Sequence, residues 1–124
     1  MSQLNNPQQA MLIWPVLALA ARMQKVLTYG DIEGLTGIVA VGQAKALGMV
    51  NRYCKRKHYP ALNTIAVLGQ GDGAGFPGPG EPDRLTNAQY LEERARVFAF
   101  DWTSKAVDKP RPEDFEAAQS GAIA

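Results

Sequence analysis

The chain has 124 residues, 46% hydrophobic, 20% charged and 8% aromatic, a composition that fits one globular domain able to bury about two-thirds of its unfolded surface. Thirteen Lys plus Arg against twelve Asp plus Glu leave a formal charge of +1, which excludes nucleic-acid binding through bulk charge alone and makes any basic surface local. One Cys and one His exclude an internal disulfide, multi-Cys or multi-His metal sites and His-pair catalysis within the chain, so that no cofactor is expected and a reducing, cytoplasmic setting is.

Asn6-Pro7 is a helix-start signal, with Asn6 as cap and Pro7 preset in φ, and it predicts a helix from Pro7 to about Gln24. Pro15 removes a backbone donor inside it, which predicts a kink or break near Ile13 to Trp14. The apolar run Ala10 to Ala21 has no Lys or Arg before it and is too short to span a bilayer, so it reads as a buried helix and not as a targeting segment. Thr28 offers a second cap, for a short helix from Tyr29 to Leu35 that Thr36-Gly37 ends. From Ile38 to about Lys57, Val41, Ala44, Leu47, Val50 and Cys54 recur at spacings of three and four and predict a long amphipathic third helix.

Beyond Tyr59-Pro60, the run Ala61 to Leu68 is short and apolar and predicts a strand. Gly69 to Gly80 reads GQGDGAGFPGPG, a loop or hairpin tip by composition. Its G-x-G-x-x-G runs into Pro79 and Pro82 where a dinucleotide fingerprint would open a helix, so no dinucleotide site is expected. Arg84 to Trp102 reads as a helix whose Leu85, Ala88, Leu91, Ala95, Phe98 and Trp102 dock on the core. A last short helix, Glu113 to Gln119, follows the prolines at 110 and 112. These readings divide the chain into a domain over residues 1–103 and a short acidic, partly flexible tail over 104–124.

Charge is uneven: residues 1–80 balance at +4 and residues 81–124 at −3. The cations gather at the end of the third helix as Arg52, Lys55, Arg56 and Lys57, with His58 next, and this cluster is the one electrostatic feature that points to an anionic partner. Cys54 stands among them, but apart from His58 no base lies near it in sequence, so it is expected to be a partly buried structural thiol.

Three helices, a strand and a glycine-rich hairpin in that order describe a winged helix, a helix-turn-helix variant. Val26-Leu27-Thr28-Tyr29-Gly30-Asp31-Ile32, then Val41-Gly42 early in the next helix, then Pro60 before an apolar strand, resembles the DNA-binding domain of alkylguanine DNA alkyltransferases and the related alkyltransferase-like proteins. The likeness covers roughly residues 16 to 80. In that family a TYG-[DE]-[IV] segment opens the second helix and an A-R-A-V-G-type segment begins the recognition helix. Where the alkyl-accepting enzymes carry Pro-Cys-His-Arg, this chain reads Pro60-Ala61-Leu62-Asn63, and Val39 stands where the family inserts an arginine into the duplex. No nucleophile is present there.

The expectation is therefore a mainly α fold with a small β-hairpin, a winged helix with an added C-terminal helix. Its expected role is non-enzymatic: contact with duplex DNA through Thr28, Tyr29, Lys45, Arg52, Lys55, Arg56, Lys57 and, at the wing, Phe76. A protein-interaction module on the same scaffold, an accessory or counter-defence protein of a mobile element, is the alternative.

Overall fold

The computed structural model describes residues 4–71, 74–77, 85–103 and 110–119. The fold is mainly helical with one small two-strand sheet. Helix α1 spans Asn6–Arg22 and starts one residue earlier than the sequence predicts. Asn5 is its cap: the Asn5 side chain accepts the Gln8 amide at 2.9 Å and Gln8 Oε1 accepts the Asn5 amide at 3.0 Å. This reciprocal box satisfies two amides, and Pro7, in the first turn, forfeits only an N–H that has no helical partner. The helix runs unbroken across Pro15. Pro15 sits on the exposed face while Ile13, Trp14 and Leu17 are buried on the other, so water can take the Met11 carbonyl that Pro15 leaves without its helical donor.

The second helix forms as the sequence predicts. Helix α2, Tyr29–Thr36, is capped by Thr28, whose Oγ1 accepts the Asp31 amide at 3.0 Å while Asp31 Oδ2 accepts the Thr28 amide at 3.0 Å. It ends at Gly37, whose φ of 78° places it in the left-handed region that glycine enters without strain. Helix α3 follows as Ala40–Lys57.

The buried arc of α3 differs from the predicted stripe. Leu47, Val50 and Cys54 are buried, but Ala44 is half-buried and Val41 is 90% exposed. Gln43 and Asn51 fill inward positions instead. Gln43 is inside because it has work there: its Nε2 donates to the Tyr29 and Ile38 carbonyls, both at 2.9 Å, which ties the start of α2 and the turn before α3 to α3 itself.

The expected strand after Pro60 is mostly a 3-10 helix, Leu62–Ile65. Thr64 explains the change, because its amide and its hydroxyl both donate to the Ala61 carbonyl, at 3.0 and 2.8 Å, and close a tight turn. Only two residues remain extended, β2 (Ala66–Val67), which pairs in parallel with β1 (Leu27–Thr28) in the register Leu27 to Ala66 and Thr28 to Val67. The small sheet is thus a parallel pair, not the expected hairpin, and its strands are joined through α2 and α3. The glycine-rich loop folds back on the end of β2: Leu68 donates to Phe76 and Gly75 donates to Leu68, both at 2.9 Å.

Helix α4, Asn87–Ala99, is shorter than predicted and rotated about its axis. Ala88, Leu91 and Ala95 are exposed and Tyr90 and Val97 are buried, with Phe98 half-buried and Trp102 buried beyond the helix end. Two charged residues set this rotation. Glu93 Oε2 accepts the Ala61 amide at 2.7 Å and Arg94 Nη2 donates to the Gly75 carbonyl at 2.6 Å, so both turn inward to clamp the segments flanking β2. Arg84 lies outside the described residues.

Helix α5, Pro112–Gln119, is the short helix predicted near the end of the chain. It does not behave as part of a tail, since Phe115 is fully buried and Ala118 nearly so, packed against α1 and α3. Phe115 joins a run of aromatic rings with Trp14, Tyr53, Tyr59, Phe100 and Trp102, with neighbouring centroids 4.6–6.4 Å apart. If α5 completes the core, Phe115→Ala will lower unfolding stability by about 3–5 kcal/mol, the range for truncating a buried phenylalanine. Urea denaturation followed by tryptophan fluorescence checks this, and a loss below ~1 kcal/mol would mark α5 as dispensable. Gln43→Leu removes both amide N–H donors from the Tyr29 and Ile38 carbonyls and is expected to cost about 2 kcal/mol in the same assay.

Candidate nucleic-acid interface

Helix α3 carries Lys45, Arg52, Lys55, Arg56 and Lys57 and no acidic residue. At 100° per residue, Val41, Lys45, Met49, Arg52 and Arg56 fall within one narrow arc, with Lys55 at its edge. The structure turns this arc outward: Val41, Lys45 and Lys55 are exposed and Met49, Arg52 and Arg56 half-buried. The result is a face about 22 Å long, at 1.5 Å rise per residue, that is apolar at its N-terminal end and cationic along the rest. Leu35, at 66% exposed, and Val39, at 53%, extend the apolar end across the α2–α3 turn.

The other expected contact residues are distributed as follows. Lys57 points elsewhere, with its ammonium 5.8 Å from the centroid of the Tyr53 ring. Thr28 is half-buried and committed to capping α2, while Tyr29 is half-buried against the core with its carbonyl held by Gln43. Phe76 is half-buried in the folded-back loop, and the Arg94 guanidinium lies 5.6 Å from its ring centroid. Desolvation lowers the Arg94 pKa from its ordinary value. The loop is therefore fastened to α4 through Phe76, where the sequence reading puts that ring at a wing. Arg56 Nη1 is shielded from solvent without a hydrogen-bond partner among the described residues.

Cys54 is more deeply placed than expected, with no exposed surface. Burial pushes its thiol up to about 12, the Glu93 carboxylate adds to the rise, and a hydrogen bond with the Leu62 backbone opposes it. No thiolate is available for nucleophilic chemistry near neutral pH. His58 caps the C-terminus of α3 with a left-handed φ of 61° and is exposed, a helix-end role. Among the described residues no cluster of His, Cys, Asp and Glu is arranged to hold a metal ion.

One feature escaped the sequence reading. Beside the basic end of α3 lies a cleft of about 200 Å³ lined by Asn51, Lys55, Tyr59, Asn63, Tyr90 and Glu93 among others. Asn63 is 4% exposed and its Oδ1 has no hydrogen-bond partner among the described residues. Ala61 is also on the cleft wall. The signal was present as polar Asn63 and Thr64 inside an apolar run, a pattern a plain core strand would not carry. No family model, curated protein or solved structure matches this chain.

The Cys54 environment fixes a pH dependence. In the unfolded chain the thiol titrates near 9, in the folded chain near 12, so the unfolded state loses its proton first and the burial of Cys54 favours folding fully only below pH 9. Stability is expected to fall from pH 9 toward 12 more steeply in the wild type than in Cys54→Ala, as urea midpoints across that range would reveal. At pH 8 the native thiol is expected to resist a maleimide that labels the unfolded chain within minutes.

Proposed function

We propose that this chain is a non-enzymatic DNA-binding protein that lays α3 against duplex DNA. The observation that carries the reading is the outward face of α3, to which the helix itself contributes Lys45, Arg52, Lys55 and Arg56 and no carboxylate. Its cations suit phosphate oxygens, and the bare Val39 and Val41 methyl groups at its N-terminal end suit the thymine methyls of a groove floor. The rigid link from Gln43 to α2 supports it further, since a recognition helix must be held at a set angle to the helix before it. The resemblance to the alkyltransferase-like winged helix points the same way. With Ala61 in place of a nucleophile and a protonated Cys54, the same residues support binding without alkyl transfer.

Fluorescence anisotropy of a short labelled duplex across a salt series tests this. Four phosphate contacts predict a slope of log Kd against log salt of about 3–4. Lys45→Gln, Arg52→Gln and Lys55→Gln together are expected to reduce that slope to about 1 while leaving the circular dichroism spectrum unchanged. Absence of binding at about 50 mM salt would overturn the reading. A duplex carrying an alkylated guanine, run in parallel, reports whether the cleft beside Ala61 adds affinity for a modified base.

A further inference from the structure

Helix α1 is apolar nearly all round: from Asn6 to Arg22 its only charged residue is Arg22. A helix of that composition is ordinarily buried on every side, yet this one buries only the face carrying Ala10, Ile13, Trp14 and Leu17. Its opposite face presents Leu12, exposed Pro15 and Leu19, continued by Met11, Met23 and Val26, and Leu12, Leu19, Met11, Met23 and Val26 are each between 37% and 55% exposed. We propose that this face is the contact between two copies of the chain, packed α1 against α1 in antiparallel sense about a two-fold axis.

Area, charge and shape favour a second copy. The exposed apolar side chains on and beside α1, with Leu4, offer at most roughly 500 Å² per copy, so that two copies bury up to about 1,000 Å², the scale at which a specific but weak pair becomes possible. An isologous contact brings identical surfaces together, which requires a face that does not repel itself. This face is uncharged except at one end. In the antiparallel arrangement with the axis near residue 17, Leu19 of each copy lies over the partner's Pro15, and Met11 opposes Met23. The two Arg22 side chains then stand about 15 Å apart along the helix axis, beyond the roughly 8 Å screening length of physiological salt. Each Arg22 also comes level with the partner's Met11 and Leu12, so that its guanidinium can donate to the Met11 carbonyl that Pro15 leaves without a helical donor.

The inference goes beyond the DNA reading and is tested without nucleic acid. Sedimentation equilibrium of the whole chain from about 1 to 200 µM is expected to show a monomer–dimer equilibrium with a micromolar Kd, in keeping with the modest area. Leu19→Asp places a charge at the centre of the contact, on an exposed position where folding is not at stake. It is expected to weaken the dimer at least a hundredfold, while the thermal midpoint measured below the dimer Kd moves by only a few degrees. Val41→Asp, on the exposed apolar end of α3, is expected to leave the dimer intact. A wild type that is monomeric throughout, a dimer that survives Leu19→Asp, or one that Val41→Asp dissolves would each overturn the proposal.

Discussion

Everything in this fold leans on the ring of Trp14. Its indole meets Tyr53 at 5.4 Å and Trp102 at 5.8 Å, both nearly edge-on, and Phe115 at 6.2 Å. Those three neighbours come from α3, from the segment after α4 and from α5, so one side chain of α1 joins three separate parts of the chain. Edge-to-face pairs of this kind add to the burial term and, unlike aliphatic contacts, prefer particular angles. They therefore fix orientation as well as proximity. Trp102 is in turn tied down by its indole N–H, which donates to the Val97 carbonyl at 2.7 Å. The outward face of α3 is in place because Tyr53, on the inward face, is locked into this cluster.

A second layer of control is polar. Gln43, Glu93 and Arg94 each reach into the protein to hydrogen-bond a backbone group far away in sequence. Burying such groups is costly unless they are matched, and their geometry is correspondingly selective. Gln43 sets the angle between α2 and α3. Glu93 and Arg94 grip the chain at Ala61 and Gly75, on either side of β2, which lets a sheet of two residues per strand persist where two strands alone would be marginal. The cleft forms between the Glu93 clamp and α3, so the polar scaffold and the candidate binding surface share a wall.

How much of this was legible in the sequence depended on the range of the interaction involved. Local signals read well: Thr28 with Asp31 and the stop at Gly37 gave α2 its bounds, and the cation cluster marked the end of α3. Features set by distant partners did not. Periodicity put Val41 and Leu91 in the core because it counts apolar residues and cannot know that Gln43 and Glu93 have backbone partners waiting. The predicted strand after Pro60 failed for a local reason that apolar patterning hides, the Thr64 hydroxyl competing for the Ala61 carbonyl. The acidic composition near the end suggested a tail, whereas a single buried Phe115 outweighs several exposed carboxylates. Of the candidate site, the basic end of α3 was readable and the cleft was not, since its walls come from three segments that only the fold brings together.

The pairing of Trp14 with Phe115 has a consequence for the order of events during synthesis. The two residues are about a hundred positions apart, and at roughly 5–20 residues per second a ribosome takes about 5–20 s to make the intervening chain. Once α3 has been made, nearly half-way through that interval, α1 and α3 can associate, but the Trp14 and Tyr53 rings still lack the cover that α5 later supplies. Helices with such local contacts form in far less time, so the nascent chain waits in a partly closed state with aromatic surface open to water. Its vulnerability to chaperones and proteases is set by the translation rate of the second half of the message, not by the stability of the finished domain.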